Sequence, residues 1–168
     1  MNGLKSSFAP VVDARTRLLV LGSLPGEVSL AKAEYYAHPQ NQFWRLMERV
    51  IERPLAGRPY AERLETLLAA GVGLWDVVGS AMREGSLDAR IRLHAAHPLA
   101  EFASALPALV AIAFNGGTAF RIGSRELGPQ PTLTLVRLPS SSPAYASLTL
   151  EDKLRAWLRL RAFVAPQA

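Results

Sequence analysis

Residues 18–47 read LLVLGSLPGEVSLAKAEYYAHPQNQFWRLM and combine a predicted strand, a glycine–proline turn, an aromatic pair and the start of a helix. The first four of them are all apolar, which is typical of a strand buried on both faces of a parallel sheet. The turn at residues 22–26 follows directly, and ligands of doubly wound α/β folds bind just beyond the carboxyl ends of their strands. We therefore predict a ligand site at this turn.

An aromatic pair and a helix complete this stretch. Tyr35 and Tyr36 supply flat aromatic surface close to the predicted ligand site. Residues 39–41 then lead into a helix, because the apolar side chains that follow recur at helical spacing. These side chains are Phe43, Trp44, Met47, Val50 and Ile51.

The composition limits the class of protein. At 168 residues the chain suits one domain spanning residues 1–168, which buries roughly two thirds of its unfolded surface. Cysteine is absent, and this excludes disulfides, thiolate zinc sites, iron–sulfur clusters and cysteine nucleophiles. No apolar run approaches the roughly 20 residues that span a bilayer, and the first residues lack a signal-peptide core. We expect a cytoplasmic protein with no membrane partner.

The positive charge is carried almost entirely by arginine. The net charge is +5, and Lys5, Lys32 and Lys153 are the only lysines among 19 basic residues. Arginine binds phosphate through two donors at once and stacks on bases, which favours a nucleic-acid or nucleotide partner. Genomic base composition also produces arginine-rich, alanine-rich proteins, so the charge alone leaves both interpretations open.

Three more apolar runs predict strands at residues 71–78, 109–114 and 132–138, with helices between them. The last helix is predicted over residues 153–164, behind a capping box formed by Thr149 and Asp152. Strands that alternate with helices form a parallel sheet covered on both faces, with right-handed crossovers. We therefore predict an α/β protein with a three-layer αβα fold around a central four-stranded parallel sheet.

Polar residues stand where these strands end. Asp76 lies near the end of the second strand, Asn115 follows the third, and residues 139–145, PSSSPAY, follow the fourth. Each has an ordinary structural alternative: an aspartate caps a turn, an asparagine caps the helix behind it, and serine–proline loops are common linkers. Because the strands are parallel, all of these residues should converge on one edge of the sheet. Hydroxyls held between prolines suit contacts to phosphate oxygens.

The segment between the second and third strands carries weaker signals. A polar loop is predicted here, in which Ser86 or Asp88 caps a short helix through residues 91–93. His94 and His97 lie three residues apart, but a proline follows and no third ligand has recognisable spacing. This pattern disfavours a metal site, and we expect neither metal nor cofactor.

Four sequence blocks together resemble the uracil-DNA glycosylase superfamily, close to its hypoxanthine-DNA glycosylase branch and to the mismatch-specific uracil and thymine glycosylases. Residues 22–26, GSLPG, stand where the mismatch-specific relatives have GINPG. Residues 36–44, YAHPQNQFW, resemble the next segment of those relatives, and residues 114–116 match their FNG. Residues 139–142, PSSS, match the second signature loop. The blocks agree in order and spacing across nearly the whole chain.

The resemblance implies an activity. Such enzymes have a compact αβα fold, bind duplex DNA across the sheet edge, flip out a damaged base and hydrolyse its N-glycosidic bond without metal or cofactor. The expected partner is double-stranded DNA with a damaged base, and single-stranded DNA stays open as a substrate. Hypoxanthine is favoured, with uracil and xanthine as alternatives. A monomer is expected, and the absence of cysteine excludes the iron–sulfur branches.

One departure from the family pattern points to the catalytic group. Leu24 stands where other branches carry an acid or asparagine that handles the attacking water, and leucine cannot polarise it. The hypoxanthine branch points instead to Asn41, whose amide can hydrogen-bond either the water or the base. Asn41 directly precedes a helix, so an N-cap is its structural alternative. Glu27 and Asp76 are the reserve general bases.

Two further departures concern the loop after the fourth strand. The uracil-specific branches begin this loop with histidine, but residues 138–139 are leucine and proline, which fits a purine leaving group better. Ala144 stands where the thymine-removing relatives carry an arginine wedge that fills the gap left by the flipped base. Tyr145 is expected to take the place of that wedge.

The resemblance also assigns the remaining roles. Tyr36 is expected to stack on the base, with core packing as its structural alternative. Backbone amides at Ser23 and Leu24, together with Asn115, are expected to meet the edge of the base. The loop hydroxyls are expected to grip the backbone that carries the flipped nucleotide, and they belong to Ser140, Ser141 and Ser142.

Two rival classes of function remain. A non-catalytic nucleotide or nucleic-acid binding module would use the same loops, and Leu24 would then mark the loss of the catalytic group. The retained Asn41 argues against this class. A serine hydrolase is disfavoured, because the chain lacks G-x-S-x-G and any histidine after the fourth strand. Strand cleavage at a damaged base would separate the glycosylase from the binding module.

Overall fold

The computed structural model describes residues 3–6, 8–83 and 91–166. Strands and α-helices alternate from residue 91 onward, and none of the described helices is long and apolar enough to cross a membrane. In chain order the elements are β1 (Gly3–Ser6), β2 (Leu18–Gly22), α1 (Glu27–Lys32), α2 (Phe43–Ile51), α3 (Tyr60–Ala69), β3 (Val72–Asp76), β4 (Val78–Arg83), β5 (Ile91–Ala96), α4 (Leu99–Ser104), β6 (Ala111–Asn115), α5 (Gly117–Leu127), β7 (Thr134–Leu138), α6 (Leu150–Trp157) and a 3₁₀ helix (Leu158–Ala162).

Four of the described strands form the central sheet in the order β3-β2-β6-β7, and every neighbouring pair runs parallel. All residues of β2 are buried, as expected for a central strand with helices on both faces. In the register of the sheet, Gly22 lies opposite Asp76, and Asn115 lies opposite Leu138. The carboxyl ends of the four strands therefore meet at one edge.

Helices cover both faces of this sheet. Helices α2, α3 and α6 pack on one face, in a cluster that includes Phe43, Leu67 and Trp157. Helices α4 and α5 pack on the other face, in a cluster that includes Leu99 and Ile122. The predicted three-layer αβα fold with a four-stranded parallel sheet is therefore confirmed.

The structure contains a second sheet, which was not predicted. Its middle strand, β4, begins directly after β3. In this sheet β4 pairs antiparallel with β1 on one side and with β5 on the other. The helix predicted through residues 91–93 is wrong, since these residues belong to strand β5. Apolar and polar residues alternate there, IRLH, with the period of a strand rather than of a helix. The predicted caps Ser86 and Asp88 lie outside the described residues.

Two predicted boundaries also change. The strand predicted over residues 71–78 divides into β3, which ends at Asp76, and β4, which begins at Val78. The helix predicted over residues 153–164 begins earlier, and its second half tightens into the 3₁₀ helix. Its capping box is confirmed, because the Asp152 N–H donates to the Thr149 hydroxyl and the Thr149 N–H donates to the Asp152 carboxylate.

Candidate active site

A cavity of about 1240 Å³ opens at the carboxyl edge of the central sheet. Its walls come from the turn after β2, the loop before α2, one side of α5 and the loop of residues 139–145, here called the serine loop. The cavity brings together the predicted site residues, which are Ser23, Leu24, Glu27, Tyr36, Asn41, Asp76, Asn115, Ser140, Ser141, Ser142 and Tyr145. The parallel topology accounts for most of this convergence, since the turn after β2, the start of α5 and the serine loop each follow a strand that ends at the same edge, while the loop before α2 reaches the cavity after α1.

The amide oxygen of Asn41 makes structural hydrogen bonds, and its amide nitrogen belongs to the cavity wall. Its Oδ1 accepts hydrogen bonds from the Phe43 backbone N–H at 2.9 Å and from the Ser141 hydroxyl at 2.9 Å. Because the Phe43 N–H can only donate, this contact assigns the amide oxygen to the helix side. The Nδ2 group is left as a donor on a cavity residue, and it makes no hydrogen bond within the described part of the chain. The N-cap of α2 is Gln42 and no side chain caps that helix, so the N-cap alternative for Asn41 is wrong; its oxygen closes a turn directly before the helix instead.

Ser141 connects Asn41 to Asn115, and these three residues are here called the amide wall. The Asn115 Nδ2 donates to the Ser141 hydroxyl at 2.9 Å, and the Ser141 N–H donates to the Asn115 Oδ1 at 2.9 Å. Ser141 is fully buried, so its hydroxyl is held between two amides and is withdrawn from solvent. The expected helix cap by Asn115 is wrong, since Gly116 is the N-cap of α5 and no side chain caps that helix.

The two tyrosines occupy different environments. Tyr35 also reaches the cavity wall, but it is 3% exposed and its hydroxyl donates to the Ala9 carbonyl at 3.2 Å, which makes it a core residue. Tyr36 lines the cavity and stacks on Phe43, with ring centroids 4.0 Å apart. Its φ of +54° is unusual for a residue with a large side chain and costs on the order of 1–3 kcal/mol. The Trp44 indole N–H donates to the Tyr36 carbonyl at 3.2 Å and stabilises this backbone conformation.

The absence of a side chain at Gly22 leaves room for two polar groups near the end of β2. A Cβ at this position would lie 2.7 Å from the Asp76 Oδ1 and 3.0 Å from the Tyr36 hydroxyl. Asp76 itself is 3% exposed and lines the cavity, so its carboxylate is a buried wall group rather than a surface charge. Only glycine fits at position 22 without displacing one of these side chains.

The turn after β2 is fixed to the junction between β3 and β4. The Gly22 carbonyl accepts from the Val77 N–H at 2.8 Å, and the Ser23 carbonyl accepts from the Val78 N–H at 3.0 Å. Leu24 is buried in the cluster beneath α4 and α5 and presents no polar side-chain atom to the cavity. Glu27 is exposed in the first turn of α1, where a carboxylate is favoured by the helix dipole.

The serine loop is supported from below by α6. The buried Lys153 ammonium donates to the Ser142 carbonyl at 3.4 Å and lies 5.5 Å from the ring centre of Tyr145. Burial lowers the pKa of Lys153. The Ser140 hydroxyl accepts from the Ser142 N–H, and the Ser142 hydroxyl accepts from the Ala144 N–H, so both retain an O–H donor. Tyr145 is 42% exposed at the rim.

His97 has a structural role behind the cavity. Its Nδ1 lies 2.7 Å from the Asp76 carbonyl oxygen, so Nδ1 carries the proton, and its ring stacks on Trp75. Burial lowers the pKa of His97, while the hydrogen bond to the Asp76 carbonyl opposes that shift. The side chain of His94 lies outside the described residues. Across the described ranges no three His, Asp or Glu side chains form a group that could hold a metal ion.

Three arginines on the cavity wall were not predicted. Arg121 and Arg125 belong to α5, and Arg137 belongs to β7; all three are exposed and line the cavity. The signal was present in the sequence, because arginines four residues apart in a helix share one side. It was not recognisable there, since nothing in the sequence shows which side of α5 faces the cavity.

Comparison with known proteins supports the same family as the four sequence blocks. A family model described as Uracil DNA glycosylase superfamily matches residues 9–161. A protein from Methanosarcina barkeri, named hypoxanthine DNA glycosylase, is 42% identical over 112 residues, which cover 67% of this chain and 71% of that protein. A protein of the same name from Methanosarcina acetivorans is 39% identical over 143 residues, which cover 84% of this chain and 88% of that protein.

A solved structure agrees in fold. It is the solution NMR structure of a candidate uracil DNA glycosylase from Methanosarcina acetivorans, with a TM-score of 0.81 and 34% sequence identity. The match covers 95% of this chain and 97% of that chain. The chain therefore belongs to the uracil DNA glycosylase superfamily and is a DNA glycosylase.

Proposed function

We propose that this DNA glycosylase removes hypoxanthine from double-stranded DNA by flipping the base into the cavity and hydrolysing its N-glycosidic bond. The observation that carries the proposal is the fixed amide of Asn41, whose Nδ2 donor remains available on a cavity wall where Leu24 is apolar. The relatives named hypoxanthine DNA glycosylase support the choice of base. Uracil and xanthine are the alternative substrates.

The fixed orientation of Asn41 decides which catalytic role suits it. Its oxygen is engaged by Phe43 and Ser141, so the group it can offer to a substrate is an N–H donor. A donor stabilises the negative charge that develops on the departing purine, but it cannot accept a proton from water. Asn41 therefore acts on the base, and a different group must accept the proton of the water.

The buried carboxylate of Asp76 suits that second role. It lies at the end of β3 beside Gly22 and on the wall of the same cavity, where it can accept a proton from a water that attacks the sugar. Glu27 is the weaker candidate, because its side chain is exposed at the start of α1. The bond breaks toward an oxocarbenium-like sugar, whose positive charge a carboxylate also stabilises.

The remaining groups hold the nucleotide. Tyr36 is covered by Phe43 on one face of its ring, and the base stacks on the other. Backbone amides of Ser23 and Leu24, with the remaining N–H of Asn115, meet the edge of the base. The hydroxyls of the serine loop that retain a donor contact phosphates, and the exposed Tyr145 ring fills the gap in the duplex. These hydroxyls are those of Ser140 and Ser142, while Ser141 positions Asn41.

A strand-cleavage experiment tests the proposal. Duplexes that each carry one hypoxanthine, uracil or xanthine are incubated with the protein and then treated with alkali, which breaks the strand at an abasic site. We expect cleavage of the hypoxanthine duplex at the highest single-turnover rate, and a single-stranded hypoxanthine oligonucleotide tests the strand preference. Absence of cleavage on every duplex would leave the non-catalytic binding module as the better account.

A further inference from the structure

We infer that Arg121, Arg125 and Arg137 form a phosphate-binding ridge that follows the DNA backbone on the α5 side of the cavity. This inference rests on the proposed function, because it names the surface by which the duplex is held. The three residues, here called the arginine ridge, are exposed, and all of them line the cavity that carries the amide wall.

The arginines stand in one line along α5. The Nη2 atom of Arg137 lies 3.1 Å from the position that a Cβ would take at Gly117, so its guanidinium rests against the first turn of α5. Arg121 follows four residues after Gly117, and Arg125 follows four residues later. Positions four apart share one side of a helix and rise about 6 Å each, so the helix positions 117, 121 and 125 extend over roughly 12 Å along that side.

The dimensions and charge of this line suit a nucleic-acid backbone. Phosphates on one strand of duplex DNA repeat about every 3.4 Å along the axis, so the line can follow several of them. Arginine offers two parallel donors to a phosphate. The guanidinium of Arg137 lies 5.4 Å from the ring centre of Phe120, and this contact restricts its position.

The ridge has no carboxylate partner within the described residues. Elsewhere in the described chain, Arg15 pairs with Asp13 and Arg161 pairs with Glu52, but no ion pair involves the three ridge residues. The one acid in α5, Glu126, does not line the cavity. Placing Arg121 and Arg125 at positions i and i+4 also brings like charges together, which an isolated helix tolerates poorly. A bound polyanion removes that repulsion.

The salt dependence of DNA binding tests the ridge. Binding of undamaged duplex is measured by fluorescence anisotropy over a range of salt concentrations, for the wild type and for the triple variant R121A/R125A/R137A. Each lost phosphate contact should reduce the slope of log affinity against log salt by about 0.9, so the triple variant should lose close to three from the slope. An unchanged slope in the triple variant overturns the inference.

Two matched variants and one separate assay make the result specific. Arg58 is exposed and lies outside the cavity lining, so Arg58→Ala should leave the slope unchanged. The charge-preserving variant R121K/R125K/R137K should restore most of the slope, and its failure to do so would contradict a simple phosphate contact. Thermal melting of the triple variant should show no loss of stability, because the three side chains are exposed. Cleavage of the hypoxanthine duplex by the wild type is scored separately, so failure of the proposed function is distinguishable from failure of the ridge.

Discussion

The amide wall and the arginine ridge line the same cavity but are built in opposite ways. The amide wall is made of buried or half-buried side chains whose hydrogen bonds, at 2.9 Å, fix their orientation. The ridge is made of exposed charges with no carboxylate partner in the described chain. Chemistry on a bond requires groups that are already oriented, whereas holding a polyanion requires charge that can adapt and release counterions.

This difference separates two kinds of experimental effect. Substitutions in the amide wall should change the rate of the bound complex and, because the wall is packed, the stability as well. Substitutions on the ridge should change affinity and its dependence on salt, with little effect on stability.

The largest effect is expected for Asn41→Ala. The change removes the donor that acts on the base, so the single-turnover rate should fall by about a hundredfold or more, as for the loss of one preorganised donor. It also removes the acceptor for the Phe43 N–H, which should cost roughly 1 kcal/mol of stability. Single-turnover cleavage and thermal melting on the same preparation measure both. A destabilised but fully active variant would move the catalytic role to Asp76 or Glu27.

Tyr36→Ala is expected to have the next largest effect. Stacking of a base on an aromatic side chain contributes about 1–3 kcal/mol, so cleavage should fall by roughly five- to a hundred and fiftyfold. Tyr36→Phe retains the ring and should retain most of the activity. Tyr35→Ala is the opposite control, because Tyr35 is buried and its loss should lower the melting temperature first. Full activity in Tyr36→Ala would show that this ring is only part of the core.

Ser141→Ala tests whether the amide wall works as a unit. The variant loses the hydroxyl that donates to Asn41 and accepts from Asn115, and a buried unsatisfied amide costs about 1–3 kcal/mol of stability. The Phe43 N–H still holds the Asn41 oxygen, so the rate should fall less than in Asn41→Ala, by roughly tenfold. If Ser141 contacted phosphate instead, the salt dependence of binding would change while the rate at saturation did not.

The smallest effect is expected for Lys153→Met. Loss of the ammonium beside Tyr145 and the Ser142 carbonyl removes support worth ~0.5–1 kcal/mol, so cleavage should fall by roughly two- to fivefold. The pH dependence of the folding stability gives a clearer test of the role of Lys153. Because burial lowers the pKa of Lys153, the unfolded chain binds that proton more tightly, and stability should rise with pH up to the usual pKa of 10.5.

The variant Lys153→Met should abolish that rise, as measured by denaturant unfolding at several pH values. Lys32→Met provides the matched control, since Lys32 is exposed at the end of α1 and should leave both the rise and the activity intact. Burial raises the pKa of Tyr60, which makes stability fall above pH 10, so the quantity to compare is the difference in stability between the wild type and Lys153→Met. A difference that does not change with pH would contradict this assignment to Lys153.

The central sheet was predictable because its strands are continuous apolar runs separated by helices. Burial on both faces gives such strands a composition that is visible in one short window. The second sheet was not predictable in the same way. The sequence of β5 favours a short helix, because the strand is short and follows a polar segment. Strand β1 pairs with β4, which lies far along the chain. Pairing between distant segments has no local signature.

The location of the site residues was predictable from the sequence, but the hydrogen bonds among them were less so. Parallel topology placed Asp76, Asn115 and the serine loop at one edge, and the structure confirms that placement. The contacts of Asn115 and Ser141 were not foreseeable, because each partner is 26 residues from the other in sequence. The need for glycine at position 22 was equally hidden, since it arises from two side chains on other segments. The single-domain organisation stays a prediction.

The most direct test of the account is the rate of Asn41→Asp. Aspartate keeps an acceptor for both the Phe43 N–H and the Ser141 hydroxyl, so the helix start and the amide wall should remain intact. It lacks the N–H donor and adds a negative charge, and both changes oppose the negative charge that develops on the departing base. We predict a melting temperature equal to or above that of the wild type. The single-turnover rate on hypoxanthine duplex should fall by about a hundredfold or more. A variant that cleaves at the wild-type rate would contradict the claim that the Asn41 amide nitrogen acts on the departing base.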